Sequence, residues 1–296
     1  MLPLRTFERS PAQAQNSLIH TAPMTKPQLS LKRGLLRLFC WLAGIVIAFL
    51  TYSYFLGWQT DYYFMAHYTA HRMPQVNIVP EPLVDLASTK APGTTLSYFG
   101  NSFEVPWKDT KIEKSPSNIA VVKFASGQVV MIWAPTGKTG LLDEIANDKE
   151  MGSPAMRAMF AEDIKAGPYE QESALLSVSS TQVHFFDPPR VSARHAFLLF
   201  FKAIAAPSEM ITGIYSYQTS AVRGFQFGNP AESPRSSLEM YDLEGNSLGE
   251  VICFFGKSAS ARGTQADINR IIQTFHVVTP SNSDSVQPAV ARSVTH

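Results

Sequence analysis

Cysteine is nearly absent: the 296 residues contain two, Cys40 and Cys253. Cys40 lies in an apolar run, so no disulfide staples the remainder, and stability must come from buried apolar surface. Cys253, flanked as Val-Ile-Cys-Phe-Phe, reads as a small buried apolar residue. Net charge is also missing. Lys and Arg number 25 against 24 Asp and Glu, a balance of +1, with no basic cluster in the folding part. That excludes a dedicated nucleic-acid binder, which needs concentrated positive charge to neutralise phosphates. Signatures of chemistry are absent as well. The run Gly137-Lys138-Thr139 has Ile132 where a P-loop needs glycine, so it reads as a loop turn. No G-x-S-x-G elbow occurs, and no repeat of fixed period.

One long apolar run is present. The 20 residues from Leu38 to Gly57 carry no charge, enough at 1.5 Å per residue for a hydrocarbon core of about 30 Å. Trp41 lies near one end, and Tyr52, Tyr54, Trp58, Tyr62 and Tyr63 lie near the other, as interfacial rings do. The run is long for a cleavable signal, and bulky aromatics stand where a small-x-small site belongs. Cys40 lies too early for a lipoprotein leader. The expectation is a transmembrane anchor over residues 34–57 that contacts the lipid bilayer through Leu38–Gly57. Arg5, Arg9, Lys26, Lys32, Arg33 and Arg37 precede it, while the first cation after it is Arg72. The positive-inside rule then places residues 1–33 in the cytoplasm and the C-terminal domain outside a cell (inner) membrane, as a single-pass protein.

Prolines at 74, 80, 82 and 92 make residues 58–93 read as a juxtamembrane segment and tether. A domain over 94–278 follows, and the polar residues 279–296 read as a disordered tail. Strand patterns flank Gly100-Asn101 and Ser126-Gly127. Ser153-Pro154 opens a helix that Gly167-Pro168 closes. Four strand-like runs fill 210–256, and Thr264 with Asp267 forms a capping box for a last helix striped by Ile268, Ile271, Ile272 and Phe275. The segment 190–206 is helical and apolar on most sides. Ala193, Ala196, Phe197, Phe200, Phe201 and Ile204 share its main stripe, Leu198 and Leu199 flank it, and Arg194, His195 and Lys202 form a polar arc. Burial on more than one side is expected; the same helix is the candidate surface for a protein partner.

Reactive constellations are weak. His67 and His71 stand four apart without a third ligand or an intervening glutamate. Asp242, Glu244, Asn246 and Glu250 lack the spacing that wraps Ca²⁺ and read as a solvated turn. His184 and His195, beside Asp187 and Arg190, are the only general-base candidates. The sequence assigns no catalytic, cofactor or metal residue.

Phe103, Val105, Pro106 and Trp107 near the front, with Ile271, Ile272, Thr274 and Phe275 at the end, resemble the ends of PsbP/Mog1-like domains. The resemblance implies an α/β/α sandwich with an antiparallel sheet and work as a binding or assembly accessory. The matching residues are packing residues, so no functional role transfers. The fold class expected is therefore α+β: an N-terminal transmembrane helix, then an antiparallel sheet packed with helices. The function expected is non-catalytic binding, with a tethered hydrolase using His184 or His195 as the alternative.

Overall fold

The computed structural model describes residues 39–48, 51–52 and 57–278, apart from 91, 114–116, 136–138, 150–151, 206 and 259–260. Two compact units are present, 1–53 and 54–296. In the first, residues 39–48 and 51–52 are helical. Among the described residues, no helix is long and apolar enough to cross a membrane. This corrects the expectation of a transmembrane helix over 34–57, of which residues 34–38, 49–50 and 53–56 lie outside the described residues. The cytoplasmic segment 1–33 and the tail 279–296 lie outside the described residues.

The second unit begins with α1 (Gly57–Arg72), a 3₁₀ turn at Pro74–Asn77, and the two-residue strand β1 (Glu81–Pro82). Strands β2 (Thr94–Tyr98) and β3 (Asn101–Val105) form a hairpin, followed by β4 (Thr110–Glu113), β5 (Ile119–Phe124) and β6 (Val129–Trp133). Helices α2 (Leu141–Asn147), α3 (Pro154–Met159), α4 (Ala161–Ala166), α5 (Pro168–Ser177) and α6 (Pro189–Ala205) come next. Strands β7 (Ile214–Gln218), β8 (Val222–Phe227), β9 (Arg235–Asp242) and β10 (Ser247–Phe254) precede α7 (Gln265–Thr274) and β11 (His276–Val277).

The main sheet has the order β1-β7-β8-β9-β10-β6-β5-β4, and a small sheet has the order β11-β3-β2. An antiparallel sheet was expected; the sheet is mixed, because β1 runs parallel to β7. Parallel neighbours need a long crossover, and here the strands and helices from β2 through α6 separate the two. The stretch 58–93, read as a tether, contributes α1, which packs on α6, and β1, which joins the sheet.

Alternation along the strands separates two faces. Val122, Val130, Ile132, Leu238, Met240, Val251 and Cys253 point to one face, where Ile268, Ile271, Ile272 and Phe275 of α7 and Leu96, Phe103 and Val105 of the small sheet cover them. The capping box forms as its residues require: Thr264 accepts from the Asp267 amide at 3.2 Å, and Asp267 accepts from the Thr264 amide at 2.9 Å. Phe225, Phe227 and Tyr241 point the other way, onto Leu176 and Met210. Beyond them the helices share a separate core of Leu142, Phe160, Leu175, Leu198, Leu199 and Phe201. The helix expected from Ser153 is two, α3 and α4, divided at the buried Phe160.

The polar arc expected on α6 is partly its most buried side. Leu198, Leu199 and Lys202 are 1%, 0% and 0% exposed, while Phe200 and Ile204 of the stripe are 40% and 66% exposed. The Lys202 ammonium donates to the carbonyls of Ile78, Leu176 and Val178 at 2.7, 2.6 and 2.9 Å. Two of these carbonyls, Leu176 and Val178, lie at the C-terminus of α5, where helical carbonyls lack partners and positive charge is favoured, and the third, Ile78, follows the 3₁₀ turn.

Candidate functional site

A cavity of about 280 Å³ opens between the helical layer and the sheet. Trp133, Glu239, Tyr241 and Glu250 form its sheet side, Glu172 and Pro168 of α5 its helical side, and Thr139, Gly140 and Glu144 its rim. Its floor follows from strand register. Glu250 of β10 lies opposite Glu239 of β9 on one side and opposite Trp133 of β6 on the other. Directly opposed residues project to the same face with Cβ atoms about 4.5–5.5 Å apart, a spacing at which like charges repel.

That register depends on a bulge. Ser247 pairs with Tyr241, but the next pair is Gly249 with Met240, so Leu248 is the extra residue. Without the bulge, Glu250 would oppose Leu238 and point into the apolar core. Gly249 supplies the required backbone at φ +106, and a Cβ there would stand 2.4 Å from the Trp133 carbonyl. Asn101 of the small sheet fixes the bulge by donating to the Leu248 carbonyl at 2.7 Å.

Glu172 is placed by the start of α5. The Tyr169 amide donates to the Gly245 carbonyl at 3.2 Å, and the Tyr169 ring stacks on Phe225 at 5.3 Å. Arg223 caps that ring at 3.8 Å and pairs with Glu170 at 3.2 Å. Gln171 accepts from the Asp143 amide at 3.2 Å, tying α2 to α5. The cavity is therefore framed by fixed elements.

Burial sets its electrostatics. It pushes Glu172 from the usual 4.5 up to about 7, against the pull of the Lys202 charge. Burial raises Glu239 well above the usual range, helped by the charges of Glu172 and Glu250 and opposed by the Tyr241 hydroxyl, which donates to it at 3.2 Å. Glu250 is raised by burial too, with Arg235 and Ser237 pulling the other way. Lys202 is lowered to about 8 by burial, with Glu172 restoring part of its affinity for a proton. The Trp133 indole N–H is buried without an acceptor among the described residues.

The other candidates do not converge there. His184 is exposed, and its backbone amide donates to Asp187 at 2.9 Å. His195 lines a separate open groove with Asp163, Arg190 and Arg194, and no serine or cysteine is among the described residues of that groove. Arg194 and Asp163 pair at 2.7 Å. His67 stacks on Tyr63 at 4.0 Å and His71 is exposed; no group of three His, Cys, Asp or Glu suited to a metal occurs among the described residues. Asp242 closes its turn by accepting from the Asn246 amide and side chain, both at 2.8 Å, which leaves Glu250 alone of that set in the cavity. Cys253 is fully buried, and burial pushes its thiol up. Residues 136–138 of the Gly-Lys-Thr run lie outside the described residues.

Sequence reading missed Glu172, Glu239 and Trp133. The alternation in Leu238-Glu239-Met240-Tyr241 already put Glu239 and Tyr241 on the face away from the core. No protein-family model, curated protein or solved structure matches this chain.

Proposed function

We propose that the protein binds a small polar molecule in the carboxylate-lined cavity, without transforming it. One observation carries the reading: the Glu239–Glu250 cross-strand pair faces a half-open cavity between the sheet and the helices. Opposed, partly buried carboxyls cost stability, and such a cost is retained where a site uses it. A pocket with few convergent polar groups on rigid elements is the usual form of a ligand site. The binding and accessory role implied by the PsbP/Mog1-like ends falls in the same class. The hydrolase alternative gains one support, since opposed carboxyls are the material of acid–base pairs. Burial, however, raises all three carboxyls in one direction, whereas catalysis needs an acid and a base held apart. His184 is exposed, and His195 lines a separate open groove with no serine or cysteine among its described residues.

Ligand-observed NMR against a collection of small polar molecules tests the reading on the full chain. Ligands that bind the parent should be lost by a Glu239→Gln/Glu250→Gln variant with an unchanged circular dichroism spectrum. Binders indifferent to both substitutions would place the ligand elsewhere and sink the proposal, as would turnover of a bound molecule.

A further inference from the structure

The uncharged run Leu38–Gly57 ends at the first residue of α1, and α1 opens with the aromatic residues Trp58, Tyr62, Tyr63 and Phe64. A run of this composition leaves water for any apolar phase within reach. Phe64 stands seven residues after Gly57 in the helix, a rise of about 10 Å. The folded unit thus begins within a short reach of whatever apolar phase takes up the run.

Large apolar rings stand in solvent at that start. Phe186 is 84% exposed and Phe64 is 63% exposed. They belong to one edge of linked rings: Phe64 lies 5.7 Å from Tyr63 between ring centres, Tyr63 lies 5.6 Å from Phe185, and Phe185 lies 5.1 Å from Phe186. Two segments far apart in the chain, α1 and the loop before α6, bring these rings together. Tyr63 and Phe185 are half-buried, so the outer rings stand on a packed base. One turn further along α1, Tyr68 is exposed; the Arg72 guanidinium lies 5.4 Å from its ring and donates to its hydroxyl at 3.2 Å. The exposed side of α1 therefore runs from a purely apolar ring, through a ring with a polar tip, to a cation. That is the order of depths such groups prefer at a lipid interface: phenyl rings in the acyl boundary, tyrosine and snorkelling cations at the headgroups.

We propose that the edge formed by Phe64 and Phe186 seats the folded unit on the surface of a lipid bilayer, with Tyr68 and Arg72 at the headgroups. The seat is separate from the cavity and goes beyond the binding reading. Two observations choose lipid as the occupant: the uncharged run that leads directly into α1, and the graded apolar-to-cationic side of α1 itself. The seat is an interfacial contact about 5–10 Å deep and asks for no helix that crosses the bilayer. The charged residues nearest in the chain, Asp61 and Asp187 against Arg72 and Arg190, cancel, so the contact needs no anionic lipid.

Depth measurements on the full chain reconstituted with phosphatidylcholine vesicles test the seat. Cys40→Ser leaves only the fully buried Cys253, and on that background Phe186→Cys, Phe64→Cys and Lys111→Cys each carry one fluorophore. Lys111 is exposed on β4, an edge strand of the main sheet, and serves as the control. Labels at 186 and 64 should lose fluorescence to lipids brominated on their acyl chains and be shielded from aqueous iodide, whereas the label at 111 should show the reverse. Two labelled positions keep the test readable should one variant lose the parental circular dichroism spectrum. The run Leu38–Gly57 is intact in every variant, so association with vesicles does not by itself meet the expectation. Labels at 186 and 64 open to iodide and untouched by brominated lipid would overturn the seat, even on a chain held to the vesicle by its run. Shielding from both quenchers would overturn it in favour of a protein cover. Equal quenching by brominated lipid at all three positions would reduce it to unspecific adsorption, and a chain that stays off the vesicles would overturn it outright. None of these outcomes bears on the cavity, which is read by ligands that depend on Glu239 and Glu250.

Discussion

At the scale of single residues, Gly249 decides what the cavity is. Its positive φ permits the bulge that turns Glu250 away from Leu238 and sets it beside Glu239. A methyl group there meets the Trp133 carbonyl at 2.4 Å, a backbone atom that cannot swing aside. Gly249→Ala should therefore cost about 1–3 kcal/mol of stability, read from urea denaturation, and should weaken any cavity ligand. An unchanged midpoint with intact binding would show that the bulge is not under this constraint. Glu172 carries the pH dependence. Its folded value, about 7, lies above the usual 4.5, so between the two the folded chain holds more protons than the unfolded one. The contribution is complete below about pH 4.5 and is lost as pH rises through about 7. Glu239 and Glu250, also raised, act in the same direction. Stability of the ligand-free protein should fall by roughly 2 kcal/mol across that window, after allowance for partial access to water. Lys202, lowered to about 8, has the opposite sign between about 8 and its ordinary 10.5 and leaves the acidic window alone. Glu172→Gln should flatten the slope; a variant with the parental slope would remove Glu172 as its source.

At the scale of elements, α6 shows how a helix between two layers misleads a one-sided reading. Leu198, Leu199 and Phe201 fill the helical core, while Lys202 reaches Ile78, Leu176 and Val178. Leu198→Asp and Leu199→Asp should each unfold the domain, because a buried carboxylate without a partner costs several kcal/mol. Ile204→Asp, at a site 66% exposed, should leave the melt within about 0.5 kcal/mol of the parent. Thermal melts followed by circular dichroism check all three, and a cooperative parental melt for Leu199→Asp would contradict the packing. The contrast with α7 explains what the sequence makes legible. One face of α7 meets the sheet and its start is a closed capping box, so local signals and burial agree. The strands of β5–β6 and β7–β10 are equally plain, since their alternation matches two unlike faces. For α6, a lysine reads as solvated unless one knows that three distant carbonyls converge on it. The cavity was hidden for a related reason: Glu250 was read with its neighbours in the turn, and a one-residue bulge is invisible to counting from that turn. The parallel pairing of β1 with β7 joins segments far apart in the chain, beyond any local pattern.

At the scale of the whole folded unit, the main sheet separates two cores of different construction. On one face, α7 and the small sheet close over strands each hydrogen-bonded to neighbours on both sides. On the other, α2 to α4 have only six or seven residues each and share a core with α1, α5 and α6. The helical layer meets the sheet through Tyr169, Leu176 and Met210 on Phe225, Phe227 and Tyr241, with the cavity beside this junction. Short helices have little stability of their own and depend on tertiary packing, so the helical layer should open before the sheet does. Native-state hydrogen exchange in rising denaturant should give amides of α5 and α6 a shared opening free energy below that of β8 to β10. Lys202→Met removes the donor to the carbonyls of Ile78, Leu176 and Val178, of which those of the buried Leu176 and Val178 cost about 1–3 kcal/mol each when left unpaired. It should lower the opening free energy of α5 and α6 while the β8–β10 values, measured by sub-global opening, change little. One common isotherm for helices and strands, shifted as a block by Lys202→Met, would instead make the unit a single cooperative body and remove the junction as its weak seam.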